Sequence, residues 1–186
     1  DTATGALTGT LTNADVGATA DIVISVADAA NATAALAAFT LTVINVNDAP
    51  TVANAITDEP ATEDMAFSYT PPADTFQDVD AGDSLTWTAT LAGGDPLPAW
   101  LAFDADIHRF SGTPANADVG TITVVVTATD QHSASVSDSF DLTVVNVNAA
   151  PTLANQGPSK EHGENEAVNY ALPLYTFNDV DAGDSL

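Results

Sequence analysis

Asp78-Val79-Asp80-Ala81-Gly82-Asp83-Ser84-Leu85 crowds acidic side chains into one short segment, and the same eight residues return unchanged as Asp179 to Leu186, 101 positions later. Carboxylates that recur at fixed motif positions suit divalent-metal binding. Carboxylates spread evenly suit a diffusely acidic surface in saline surroundings. The two are compatible, and the clustering favours metal. Acid–base catalysis is the third chemistry to weigh. Asp78 and Asp80 would have to act as a glycosidase pair, with carboxyls about 5–9 Å apart around a cleft. No Arg, Tyr or His accompanies them in a catalytic constellation, and His108, His132 and His162 fall in apparent turns at unrelated positions. An enzyme is not expected, and neither are histidine metal or base roles.

These motifs sit in a chain that repeats itself. Asn45-Val46-Asn47-Asp48-Ala49-Pro50-Thr51 returns as Asn146-Val147-Asn148-Ala149-Ala150-Pro151-Thr152 at the same offset of 101, and Asn13-Ala14-Asp15-Val16-Gly17 returns as Asn116-Ala117-Asp118-Val119-Gly120 at 103. Self-similarity at a fixed period means one structural plan used repeatedly. Residues 1–48 read as the C-terminal part of a first repeat, 49–149 as a complete repeat, and 150–186 as the N-terminal part of a third. About 100 residues is enough to fold independently. Neither partial copy is expected to bury a full core, and the chain is expected to be a window from a longer protein.

Among the 186 residues, 26 are acidic and only Lys160 and Arg109 are basic, giving a formal net charge of −24. Nucleic acid and anionic membranes are therefore poor partners, since both require cationic patches. There is no cysteine, which excludes disulfides and thiolate zinc sites. No run of 18 apolar residues predicts a membrane span.

The elements that must position the acids read as strands. Thr121 to Thr129 and Ser139 to Val145 alternate and are rich in β-branched residues, as are Asp21 to Val26 and Phe39 to Ile44. Turn signals at Pro71-Pro72, Gly93-Gly94-Asp95-Pro96 and Gln131-His132-Ser133 separate such runs. The Ala-rich stretch Ala27 to Ala38 aligns with a turn plus a strand and predicts a hairpin, not a helix. The fold class is all-β: tandem antiparallel β-sandwiches of about seven strands. Trp87, Trp100, Phe103, Phe110 and Phe140 are the expected aromatic core.

The ordered motifs resemble a known family. Asn45-Val46-Asn47-Asp48-Ala49-Pro50 is similar to the cadherin inter-domain linker, Phe76 to Asp83 to its Asp-x-Asp-x-Gly motif, and Ala128-Thr129-Asp130 to its late Ala-x-Asp. Pro98 to Phe103 followed by Phe110-Ser111-Gly112-Thr113-Pro114 resembles the dystroglycan-type cadherin-like subfamily, an immunoglobulin-like repeat of long bacterial surface adhesins. The resemblance spans the whole chain and implies tandem immunoglobulin/cadherin-like repeats at the cell surface or outside the cell, with calcium at their junctions.

Carried over by position, the resemblance assigns Asp15, Asn45, Asn47, Asp48, Asp78, Asp80 and Asp130 to a first junction. It assigns Glu63, Asp118, Asn146, Asn148, Asp179 and Asp181 to a second. Strand length supports the sorting: 12–13 residues cross roughly 40 Å, about one sandwich. A chain starting at Pro50 thus reaches Glu63 at the far end and returns Asp78 and Asp80 to the near end. Carboxylate and amide oxygens at such a junction form a hard-oxygen site, which suits calcium better than zinc or copper. Ala149 stands where the first linker has Asp48, so the second site is expected to be weaker or to hold fewer ions.

The function expected is a structural and adhesive segment of an exported surface protein, stiffened by calcium, whose partners are neighbouring repeats. Two rivals remain. One is a subunit of a self-assembling extracellular filament, in which partial repeats of different copies complete each other. The other is a carbohydrate-binding module for extracellular glycans, which needs Trp87, Trp100, Tyr69 or Tyr170 exposed on one face.

Overall fold

The computed structural model describes residues 7–157, 159–174 and 176–181. Strands dominate, and the helical segments among the described residues are single 3-10 turns at Asn13–Asp15 and Asn116–Asp118. No helix among the described residues is long and apolar enough to cross a membrane. Two compact units form: Asp1–Asn54, Ala73–Trp87 and Thr127–Ser137 make one, and Ala55–Pro72, Thr88–Val126 and Asp138–Leu186 make the other.

The second unit shows why the β-branched runs become strands. Leu101–Asp104, Arg109–Gly112 and Phe67–Tyr69 form a three-stranded antiparallel sheet. A four-stranded sheet runs in the order Glu59–Thr62, Ser135–Val145, Gly120–Thr129, Thr86–Leu91, and the first strand with the 138–145, 120–126 and 88–91 parts of the others belongs to this unit. Period-2 alternation sends Val124, Val126, Phe140, Leu142 and Val144 inward, each no more than 3% exposed. Outward positions carry hydroxyls that pair across strands, such as Thr121 with Thr143 at 2.9 Å. Phe110 of the first sheet meets Phe140 of the second edge-on at 5.5 Å between ring centres, and Tyr69 and Phe103 close the cluster. Of the expected aromatic core, Phe110 and Phe140 are buried here, whereas Phe103 and Trp100 are half-buried, Trp100 set edge-on to Phe67 at 6.5 Å.

One pairing departs from the antiparallel expectation. Glu59–Thr62 runs parallel to the end of Ser135–Val145, in register Leu142 with Glu59 through Val145 with Thr62. Pro60 has no N–H to donate and is tolerated because this strand lies at the sheet edge.

In the first unit, Trp87 is 4% exposed and packs edge-on against Phe76 at 4.8 Å. The Ala-rich stretch is a hairpin, with Ser25–Ala27 antiparallel to Thr33–Ala35. Gly17–Ile22 pairs with Phe39–Val43, interrupted by a bulge between Thr19 and Ile22 where Asp21 takes φ 57°. This pair lacks a covered face. Phe39 and Leu41 are 36% and 39% exposed, whereas their repeat counterparts Phe140 and Leu142 are 2% and 0% exposed. Replacing Phe140 by Ala should therefore cost about 3–5 kcal/mol of unfolding free energy. The same change at Phe39 should cost less than about 1 kcal/mol. Urea titration of both variants of the 186-residue chain checks the contrast, and equal losses would contradict it.

Candidate metal centre

The first unit assembles its site around a linker that makes no sheet. Val46 to Pro50 belongs to no helix or strand, and Ala49, which precedes proline, is steered away from helix. The N–H of Asp48 is therefore not committed to a strand ladder, and it donates to Asp80 Oδ2 at 2.7 Å. Asp80 is aimed by its own motif: its N–H donates to Asp78 Oδ1 at 2.9 Å, and its carbonyl accepts from Asp83 N at 3.3 Å. Gly82 closes this turn at φ 98°, a conformation that disfavours any side chain.

Asp130 reaches the linker from the opposite direction. Its Oδ1 accepts from the N–H groups of His132 and Ala134, both at 2.8 Å, which fixes the turn after Gly120–Thr129. Its Oδ2 accepts from Asn47 Nδ2 at 2.9 Å. That bond is the main cause holding the Asp130 carboxyl below the usual aspartate range. Burial opposes it, while the backbone donors of Ala134 and His132 reinforce it. Asp28 in the first copy builds the same turn, accepting from Ala30 N at 2.9 Å and Ala32 N at 2.8 Å.

These bonds use only part of the oxygen that the site gathers. Asn47 Oδ1, Asp78 Oδ2, Asp80 Oδ1 and Asp83 Oδ2 are buried without a hydrogen-bond donor. Oxygens of Asp78, Asp83 and Asp130 lie within 4.8 Å of one another. His132 Nδ1 stands 3.6 Å from Asp83 Oδ2, too far for a hydrogen bond, and is an ion-pair partner only when protonated. Buried acceptors without donors are costly, and like charges at this separation repel. The donor set is all oxygen, so the residues present fit a hard divalent cation such as calcium.

Other members of the expected first set lie differently. Asp15 Oδ2 is held by the N–H and hydroxyl of Thr12, both at 2.9 Å, which lowers the Asp15 pKa. Asn13, from the same 3-10 turn, is the residue that reaches the linker, donating to Asp48 Oδ2 at 2.9 Å. Asn45 is exposed.

The second unit repeats the plan with changes. Ala149 N donates to Asp181 Oδ2 at 2.7 Å, and Asp181 N to Asp179 Oδ1 at 3.0 Å. Asn148 Nδ2 donates to Ala149 O at 3.1 Å, as Asn47 Nδ2 does to Asp48 O at 3.0 Å. Glu63, 4% exposed, accepts Val147 N on Oε1 at 3.0 Å and leaves Oε2 buried without a donor. Asp118 accepts Ala115 N at 2.9 Å, while its neighbour Asn116 donates to Asn146 Oδ1 at 3.4 Å and Asp181 Oδ1 at 3.2 Å. Asp184, the counterpart of Asp83, lies outside the described residues.

Sequence reasoning missed Asp83, Asn13 and Asn116. All three fall inside the repeated segments, but which members of those segments turn toward the linker shows only in the fold.

A family described as "Putative Ig domain" matches residues 49–145, and the chain belongs to it. Among solved structures, extracellular cadherin domains 1–4 of protocadherin gamma B7 superpose with a TM-score of 0.57 at 20% identity, covering 81% of this chain and 37% of that one. Domains 1–5 of protocadherin gamma B2 give 0.58 at 15% identity, covering 81% and 30%. The fold is therefore an immunoglobulin/cadherin-like β-sandwich repeat. An endo-fucoidan hydrolase of glycoside hydrolase family 107 also matches, at 25% identity over 75% of this chain and 20% of its own, but its TM-score of 0.43 carries no weight for activity. The chain thus spans only a fifth to about a third of these structures. No curated protein matches it.

Because the folded pKa of Asp130 is depressed, its stabilising contribution is complete above the unfolded value of about 3.9 and is lost as pH falls through the lowered folded value. Asn47→Ala removes the largest cause. In chelator, the variant should lose less thermal stability than the parent as pH falls from about 5 to 3. Parallel melting profiles across that range would contradict the assignment.

Proposed function

We propose that this segment is a structural, adhesive-type stretch of tandem repeats from an exported surface protein, with calcium at the repeat junctions. The repeats run 1–48, 49–149 and 150–186. The observation that carries this reading is the set of buried, donorless oxygens on Asn47, Asp78, Asp80 and Asp83, with Asp78 and Asp83 grouped with Asp130 within 4.8 Å. A bound calcium ion would supply the positive charge that these oxygens lack.

The chain's own residues do the remaining work. Asp80 ties the linker N–H to the acidic turn, Asn47 ties the linker side chain to Asp130, and Asn13 ties the preceding copy to Asp48. The first two bonds join residues 1–48 to residues 49–149, and the third fixes the linker to the copy that it ends. With the carboxylates neutralised, repulsion no longer opposes them and the hinge between repeats stiffens. A rod of such repeats would hold an adhesive end away from the cell. The glycan-binding alternative has less support, because Trp87 is buried against Phe76 while Tyr69 and Trp100 pack on Phe140 and Phe67, which leaves Tyr170, 41% exposed, as the open ring of the four.

Extracellular modules of this kind hold calcium at about 10⁻⁴–10⁻³ M. At ten times the dissociation constant, binding adds about 1.4 kcal/mol per site. The melting temperature of the chain should therefore rise by several degrees in about 10 mM calcium. Asp80→Asn should remove most of that rise. A melting temperature indifferent to calcium, or a rise unchanged in Asp80→Asn, would contradict the proposal.

A further inference from the structure

The two junctions differ at one linker position, and the difference redirects an amide. In the first, Asn13 Nδ2 donates to Asp48 Oδ2 at 2.9 Å, and Asp80 Oδ1 is left buried without a donor. In the second, Ala149 occupies the position of Asp48 and offers no carboxylate. Asn116, the counterpart of Asn13, instead places Nδ2 between Asn146 Oδ1 at 3.4 Å and Asp181 Oδ1 at 3.2 Å. Asp181 Oδ1 is the counterpart of the oxygen that Asp80 leaves unpaired. An amide NH2 carries partial positive charge and two donors, so it satisfies the same acceptors that a cation would take.

We infer that Asn116 is a built-in competitor for divalent cations at the second junction, so that the two junctions load with calcium at separate concentrations. The inference rests on the reading of both junctions as calcium sites. The second junction keeps its own demand for a cation, because Glu63 is 4% exposed and its Oε2 is buried without a donor. An ion drawn there must displace the Asn116 amide from Asp181, whereas an ion at the first junction meets Asp80 Oδ1 already open. A lost carboxylate at position 149 and a donor that must be released act in the same direction. The consequence is graded stiffening: the hinge at Asn45–Asp48 would lock first and the hinge at Asn146–Ala149 only as calcium rises further.

The backbone amides of Asp48 and Ala149 are matched reporters, since each donates at 2.7 Å to its acidic turn. Calcium chloride titration of the isotope-labelled 186-residue chain, followed by NMR at these two amides, reads each junction separately. The second midpoint is expected at about tenfold or more higher calcium than the first, the size of one hydrogen bond to a charged group. Asn116→Ala should move the second midpoint to lower calcium and leave the first in place. Ala149→Asp, which offers the amide the acceptor that Asn13 has, should do the same and covers the case that Asn116→Ala does not fold. If Asn116→Ala leaves the second midpoint unchanged or raises it, Asn116 is a bystander or a ligand and the inference is overturned. If the wild-type midpoints coincide, it is likewise overturned. If neither amide responds to calcium, the junction-site reading falls and the inference falls with it.

Discussion

Burying a carboxylate oxygen with no donor opposite it is unfavourable in any fold, and more so in a chain of net charge −24. Asp80 is 5% exposed and does this while its other oxygen holds the linker N–H at 2.7 Å. The rest of the first site is arranged around that constraint. The Asp78 carboxylate orients Asp80, the turn at Gly82 brings Asp83 round, and the hairpin turn at Asp130 delivers a further carboxylate to the same place. Asp78 and Asp80 each hold a backbone N–H on one oxygen and leave the other buried without a donor, and Asp130 takes backbone N–H groups on Oδ1 and the Asn47 amide on Oδ2. Such an arrangement stores repulsion that a divalent cation relieves, which is why the site is read as a junction clamp and not as a set of turn caps.

Val124, Val126, Phe140 and Leu142 face inward along Gly120–Thr129 and Ser135–Val145, the two strands joined by the Asp130 turn. Glu63 and Asp130 come from different turns of the complete repeat, and each is bonded to a different linker: Glu63 to Val147 and Asp130 to Asn47. On the proposed reading, such a repeat would carry half of two junction sites.

Much of this was legible in the sequence because the signals were local or periodic. Alternating β-branched residues gave the strands, and the echoed Asp130-type turn identified the Ala-rich hairpin at Asp28 despite its helical composition. The parallel edge strand at Glu59–Thr62 was not legible: Pro60 spoils its strand pattern, and its partner lies some 80 residues away in Leu142–Val145. The sorting of acids to two linkers was carried over from the resemblance; Asp80 and Asp130 bond to the first linker and Glu63 and Asp181 to the second, whereas Asp15 and Asp118 hold their own turns. What escaped was the choice made by side-chain amides. Asn13 and Asn116 occupy equivalent positions but bond to different acceptors, because that choice depends on whether position 48 or 149 supplies a carboxylate. Asp83 escaped because only the folded turn shows its oxygen facing Asp78 and Asp130.

The most direct measurement is a crystal structure of the chain grown in millimolar calcium. Density at about 2.3–2.6 Å from the open oxygens of Asp78, Asp80 and Asp83, with the coordination of a calcium ion, is the expected result. Water at that position, or carboxyl groups that have turned outward to solvent with the linker bonds broken, would contradict the central claim that these oxygens are held for a cation.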